Sequence, residues 1–146
     1  CSIGSEASKV IESFCAKNQL TNKCRKGRGK HMAQKLLEEL SEDLAVDVYK
    51  IAKQLQTNKE FIISNQVIRS ATSVGANISE AQFAQSRADF ITKLRIALKE
   101  ANETRYWLRV LFRTENIAHE AFENLSKRCT DIIVKLVFSI KTATKK

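Results

Sequence analysis

Phe90, Leu94, Ala97, Ala101, Thr104, Leu108 and Leu111 follow one another in alternating steps of four and three. Only an α-helix turns residues so spaced to one side, because a strand would scatter them over both of its faces. A second line, Ile91, Leu98 and Phe112, widens the stripe from a coiled-coil seam to the broader face of a globular bundle. Such a helix buries its stripe only against other helices, so the chain is committed to helix-on-helix packing. Trp107 and Val110 lie off both lines and are expected to cover a bundle edge or a subunit contact.

The punctuation around this stretch agrees. Ser86-Arg-Ala-Asp89 is a capping box that opens the helix, and Thr57-Asn58-Lys59-Glu60 has the same form, which predicts an earlier helix starting near Asn58. Between them run Ile63, Val67, Ala71 or Ser70, Val74, Ile78 and Ala81 at helical spacing, ending around residues 82–85. A first long helix is expected over 33–56, with Leu37, Leu44, Val48, Ile51 and Leu55 inward, Leu40 beside them, and Ser41 either interrupting it or facing solvent. A short link at 114–118 leads to a last helix over 119–143 that buries Phe122, Leu125, Cys129, Ile132, Leu136 and Ile140. Its further apolar line of Ile133, Val137 and Ile140 suggests burial on two sides. The chain has no proline and four glycines, too few breakers for a β-rich protein of 146 residues. Short links force antiparallel neighbours, so the expected fold is all-α, an up-down-up-down four-helix bundle.

Arg69-Ser-Ala-Thr-Ser-Val-Gly-Ala-Asn-Ile-Ser-Glu80 stands apart inside the second helix because it is small and polar. Gly75 falls mid-helix, where it costs about 0.5–1 kcal/mol relative to alanine. Close approach of a second backbone would offset that. Arg69, Asn77 and Glu80 are the kind of polarity that needs partners.

Residues 1–31 differ in composition from the rest. They hold three of the four glycines, three of the four cysteines, and seven Lys/Arg against two acids, a net +5 of the chain's +9. Arg25, Lys26, Arg28 and Lys30 form a glycine-broken basic run, expected to be flexible and a candidate nucleic-acid contact. Ser5 to Leu20 fits a short amphipathic helix with Val10, Ile11 and Phe14 inward. Met32 is the only methionine, so the expected domains are an arm over 1–31, vector-derived or from an upstream start, and a bundle over 32–146; the competing reading is a native basic arm. No apolar h-region or membrane-length run is present, and no CxxC pair, so the expected setting is the reducing cytoplasm, without membrane contact. Cys1, Cys15 and Cys24 with His31 have spacings that match no usual zinc site, and Cys129 reads as a small buried hydrophobe.

Catalytic motifs are scarce: there is no GxSxG, Walker loop or HExxH, and no metal or cofactor is expected. Arg113 and His119 form an R-x5-H spacing that resembles the loose signature of HEPN-type RNases, although Thr114 stands where that family carries Asn, Asp or His. In that reading the pair would stabilise phosphate and handle a proton in metal-independent RNA cleavage. Asp89 with Lys93 and Lys99 with Glu103 are spaced for i, i+4 ion pairs. Arg95, Lys99, Arg105, Arg109 and Arg113 make one side of the third helix basic, either a grip for phosphates or a solvated face.

Three stretches carry a resemblance: Gln66-Val-Ile-Arg-Ser-Ala-Thr-Ser-Val-Gly-Ala-Asn-Ile-Ser-Glu-Ala81, Ser86-Arg-Ala-Asp-Phe90, and Ala97-Leu-Lys-Glu-Ala-Asn-Glu-Thr-Arg-Tyr-Trp-Leu108. They resemble the rRNA intervening-sequence proteins, encoded within inserts of bacterial 23S rRNA genes, over about residues 44–140. The resemblance implies a four-helix bundle assembled as a ring-shaped homopentamer, without enzymatic activity or cofactor. Relatives include the accessory variability protein of diversity-generating retroelements, a basic pentamer that binds nucleic acid and its reverse transcriptase. Arg69, Ser73, Asn77 and Glu80 match the family's polar positions, which implies a structural hydrogen-bond network within or between subunits. Arg105 stands where many relatives carry an acid.

Overall fold

A computed structural model describes the backbone of residues 28–145 and the side chains of residues 33–145. Four helices account for nearly all of it: α1 Arg28–Thr57, α2 Phe61–Ala81, α3 Arg87–Arg113 and α4 His119–Thr144. No strand occurs among the described residues. The helix expected from residue 33 starts at Arg28 instead, so the basic run expected to be flexible ends in helical backbone. The side chains of Arg28, Lys30 and His31 lie outside the described residues, as do Arg25, Lys26, Cys1, Cys15 and Cys24.

The core is one apolar cluster fed by all four helices. In α3 the seam from Leu94 to Leu111 is buried and Phe90 packs against its end. α4 buries Leu125, Cys129, Ile132 and Leu136, with Phe122, Ile133 and Ile140 half-buried beside them. Burial in this apolar setting pushes the Cys129 thiol up to about 12, so it behaves as a small hydrophobe. α1 contributes Leu37, Leu44, Val48, Ala52 and Leu55. It also contributes Ser41, which neither breaks the helix nor faces solvent. Its hydroxyl donates to the Glu38 carbonyl at 2.7 Å, which satisfies it locally and lets it sit in the core. The small side chain has a purpose: Gly75 of α2 lies opposite, and a Cβ there would stand 3.4 Å from Ser41 Oγ.

The helix ends are closed by two different devices. At Ser86 the serine half of the expected capping box forms, with Ser86 Oγ accepting from the Asp89 amide at 3.1 Å, while the Asp89 carboxylate accepts from the amide of Gln85, one residue before the cap, at 3.1 Å. The box expected at Thr57 does not form. Thr57 still belongs to α1, its hydroxyl donates back to the Lys53 carbonyl, and α2 begins at Phe61 without a side-chain cap. The chain there makes a Schellman turn, in which Glu60 N–H reaches the Leu55 carbonyl at 2.9 Å and Lys59 takes φ 63°. The same turn closes α3: Asn116 N–H bonds the Leu111 carbonyl at 2.9 Å, with Glu115 at φ 59°. Phe112 and Phe122 then stack across the link with ring centroids 4.5 Å apart.

Candidate nucleic-acid interface

Most of the charges of α3 are sorted by side, although Lys93 lies beside the acids; Arg87 shares its side with Arg105. At 100° per residue, Asp89, Glu100 and Glu103 fall within an arc of about 60°, and Arg95, Lys99, Arg105, Arg109 and Arg113 within a separate arc of about 120°. The acidic arc is the α2 side. There Arg69 of α2 ion-pairs with Glu103 and stands 3.5 Å from Glu100 Oε2, while Trp107 Nε1 donates to Glu103 Oε1 at 3.2 Å. Glu103 is therefore claimed by Arg69, and no Lys99–Glu103 ion pair forms among the described residues. The bond from Trp107, and after it Arg69, holds the Glu103 carboxyl below the usual range, and Glu103 in turn raises Arg69. Lys93 likewise turns away from Asp89 to Glu80 of α2, and that bond raises its pKa.

The four positions expected to form one polar network divide into three separate contacts. Arg69 joins the Glu100–Glu103 pair, Glu80 joins Lys93, and Asn77 donates to the Ser73 carbonyl at 2.8 Å within its own helix. Arg69 and Glu80 are also not buried; more than half of each side chain is open to solvent. Their place on the outer edge of α2 explains this, because only the α2 residues nearer the core axis lose water. The polar contact within the core lies one residue away. Thr104 Oγ1 donates to Ser70 Oγ at 2.9 Å, and the Ser70 hydroxyl donates in turn to the Val67 carbonyl at 3.1 Å. Both residues are fully buried. Thr104 sits on the apolar seam, so periodicity identified it as inward without revealing its partner.

The basic arc looks away from α2. Arg95, Lys99, Arg109 and Arg113 are exposed and Arg105 is half-buried. Among the described residues none of the five makes an ion pair, whereas Lys35, Lys50, Arg69, Lys93 and Arg128 all do. Arg105 flanks α4, close enough for its charge to act on Cys129, and so belongs to the edge of the face. Tyr106 lies between the cations with half of its surface exposed, edge-on to Trp107 at 5.0 Å. Trp107 itself packs against the core. The heptad-spaced run Lys99, Tyr106, Arg113 is the sequence signal that identifies Tyr106 as part of this face.

Arg113 and His119 end α3 and begin α4. His119 lies over the Phe112 ring at 5.6 Å, with Nδ1 3.9 Å from Glu123. The adjacent shallow cleft is lined by Ile51, Gln54, Leu55, Asn116, Ile117, Ala118 and Ala121, and by neither member of the R-x5-H pair.

A model of the family described as 23S rRNA-intervening sequence protein matches residues 36–137. A crystal structure of a protein of unknown function, from the S23 ribosomal protein family of Bacteroides thetaiotaomicron VPI-5482, is similar at 49% identity. The match covers 75% of this chain and 98% of that one, with a TM-score of 0.72. No curated protein matches the chain. The match spans the whole of α2 and α3 and most of α1 and α4, so the basic face and the polar contacts all lie within it. The chain belongs to the 23S rRNA-intervening sequence protein family.

Proposed function

We propose that this protein is a non-enzymatic cytoplasmic assembly protein that binds RNA or another nucleic acid through the basic face of α3. The observation that carries the reading is the sorting of charge on that helix. Five cations share one side without an acid among them or an ion pair among the described residues. A face kept only for solubility gains nothing from segregating its signs, whereas a phosphate backbone requires it. The basic run Arg25, Lys26, Arg28 and Lys30 is a second candidate contact in this reading.

The bundle is antiparallel in this reading. Its support is the order of contacts: Glu80 with Lys93, Ser70 with Thr104 and Arg69 with Glu103 recede from the α2–α3 link together. Phe112 with Phe122, and Arg87 with the Ala143 carbonyl, do the same for α3 and α4. The bundle assembles as a ring-shaped homopentamer. Support comes from the family resemblance and from α4, whose outer side carries Val134 and, one turn on, Phe138, which is 64% exposed. A protein partner such as a reverse transcriptase rests on the family resemblance alone.

A salt titration against labelled RNA tests the binding. The affinity should fall steeply with salt, and alanine at Arg95, Lys99, Arg109 or Arg113 should each lower the slope by about one. No salt-dependent binding near physiological ionic strength would defeat the reading. Cleavage of the RNA that vanishes in Arg113→Ala or His119→Ala would replace it with a HEPN-like RNase. Native mass measurement, with and without co-purified nucleic acid, tests the pentamer. An oligomer without nucleic-acid affinity would leave a structural protein with protein partners only.

A further inference from the structure

The basic face of α3 contains more than charge. Lys99, Tyr106 and Arg113 are seven residues apart, so they stand almost in line, with about 10.5 Å of helix rise between neighbours. Arg95, Asn102 and Arg109 form a parallel line at the same spacing, offset by four residues. In each line a cation is followed by an uncharged side chain and then by another cation. The Tyr106 ring is half-exposed, and its neighbour Trp107 meets it edge-on, 72° between planes. Trp107 is itself fixed, packed on the core and donating to Glu103. Tyr106 is thus braced from one edge by a held ring, with Arg109 three residues on and Lys99 and Arg113 seven residues to either side, none of which makes an ion pair among the described residues.

We infer that this face grips a single-stranded segment of nucleic acid, stacking a base on Tyr106 while the cations before and after it hold the flanking phosphates. The inference rests on the proposed binding reading and names its substrate class. A duplex keeps its bases stacked inside and offers only phosphates to such a face, so a flat aromatic ring between the cations would gain nothing from it. An unpaired strand offers both phosphates and ring faces, and the alternation of cation and aromatic matches that alternation of charge and π-surface. The strand would run along the helix, since Arg95 to Arg113 spans about 27 Å of rise. Asn102 directs its amide N–H to the Leu98 carbonyl at 3.0 Å, which leaves its own carbonyl oxygen as an acceptor for a base edge.

The test is fluorescence anisotropy with a labelled single-stranded oligoribonucleotide, its duplex, and an oligodeoxyribonucleotide of the same sequence. Either single strand should bind more tightly than the duplex, and comparing the two identifies the source of the strand. Tyr106→Ala should weaken single-strand binding roughly tenfold without changing its salt slope, because stacking releases no counterions. Tyr106→Phe should bind as the parent does. The lone tryptophan, Trp107, gives a second readout in the parent protein, since a base seated on Tyr106 should change its emission. Binding that prefers the duplex, or that is indifferent to Tyr106→Ala, would overturn the inference and leave the basic face intact. Binding to none of the three probes would overturn both readings.

Discussion

Gly75 of α2 faces Ser41 of α1, and a Cβ added at the glycine would stand 3.4 Å from the serine Oγ and 3.7 Å from its Cβ. The two helices therefore meet through a hydrogen atom and a hydroxymethyl group, with space for one methyl and little more. Gly75→Ala should be neutral to slightly stabilising, because the helix gains about 0.5–1 kcal/mol of backbone entropy and the new methyl makes an ordinary contact. Gly75→Leu should cost about 1–3 kcal/mol through overpacking. Urea unfolding of the two variants beside the parent checks both.

The Thr104–Ser70 contact is the natural subject of a double-mutant cycle. Thr104→Val keeps the volume but removes the donor to a buried hydroxyl, and should cost about 1–3 kcal/mol. Adding Ser70→Ala removes the orphaned group, so the double variant should recover part of the loss. Coupling near zero would show that the two hydroxyls are satisfied independently, by the Val67 and Glu100 carbonyls.

Glu103 sets an acid limit. Its carboxyl is held below the ordinary range, first by Trp107 and then by Arg69, so the ionised form is favoured by folding. The sign follows from linkage: this stability is fully present above the unfolded pKa of about 4.3 and is lost as pH falls through the lower folded value. Thermal melts of the parent should therefore fall off below about pH 4 more steeply than those of Glu103→Gln. Trp107 fluorescence should change over the same window in the parent only.

Lys59 and Glu115 hold positive φ at 63° and 59° without being glycine. A side chain in that left-handed region costs about 1–2 kcal/mol, and glycine removes most of the penalty. Lys59→Gly and Glu115→Gly should each raise the urea midpoint, and together they should add, because the two turns share no partner.

The architecture was readable because α3 and α4 repeat an unambiguous 3.6-residue pattern, and Ser86-Arg-Ala-Asp89 encodes its cap in four adjacent residues. Three kinds of feature were not readable. A Schellman turn depends on backbone bonds and a positive φ, so Thr57–Glu60, which has the letters of a capping box, gave the wrong helix start. Ser41 looked polar in the pattern, but a hydroxyl that bonds its own helix can be buried without loss. Ion pairs at i, i+4 are the ones a sequence displays, and here Arg69 and Glu80 on α2 took the partners that α3 offered itself. The five-cation face of α3 was visible because its charges recur on one helix side. Tyr106 was passed over, although its place seven residues from both Lys99 and Arg113 puts it on the same side.

The stacked pair Phe112–Phe122 has a kinetic consequence. These rings are ten residues apart in sequence, while Arg87 and the Ala143 carbonyl, at the far end of the same two helices, are fifty-six apart. Closing the longer loop first would cost about 1.5 kcal/mol more chain entropy than closing the shorter one. α3 and α4 should therefore pair first at the aromatic contact and only later at Arg87 and Ala143. On unfolding they should separate in the opposite order, so that amide protons near Arg87 and Ala143 exchange before those around the rings.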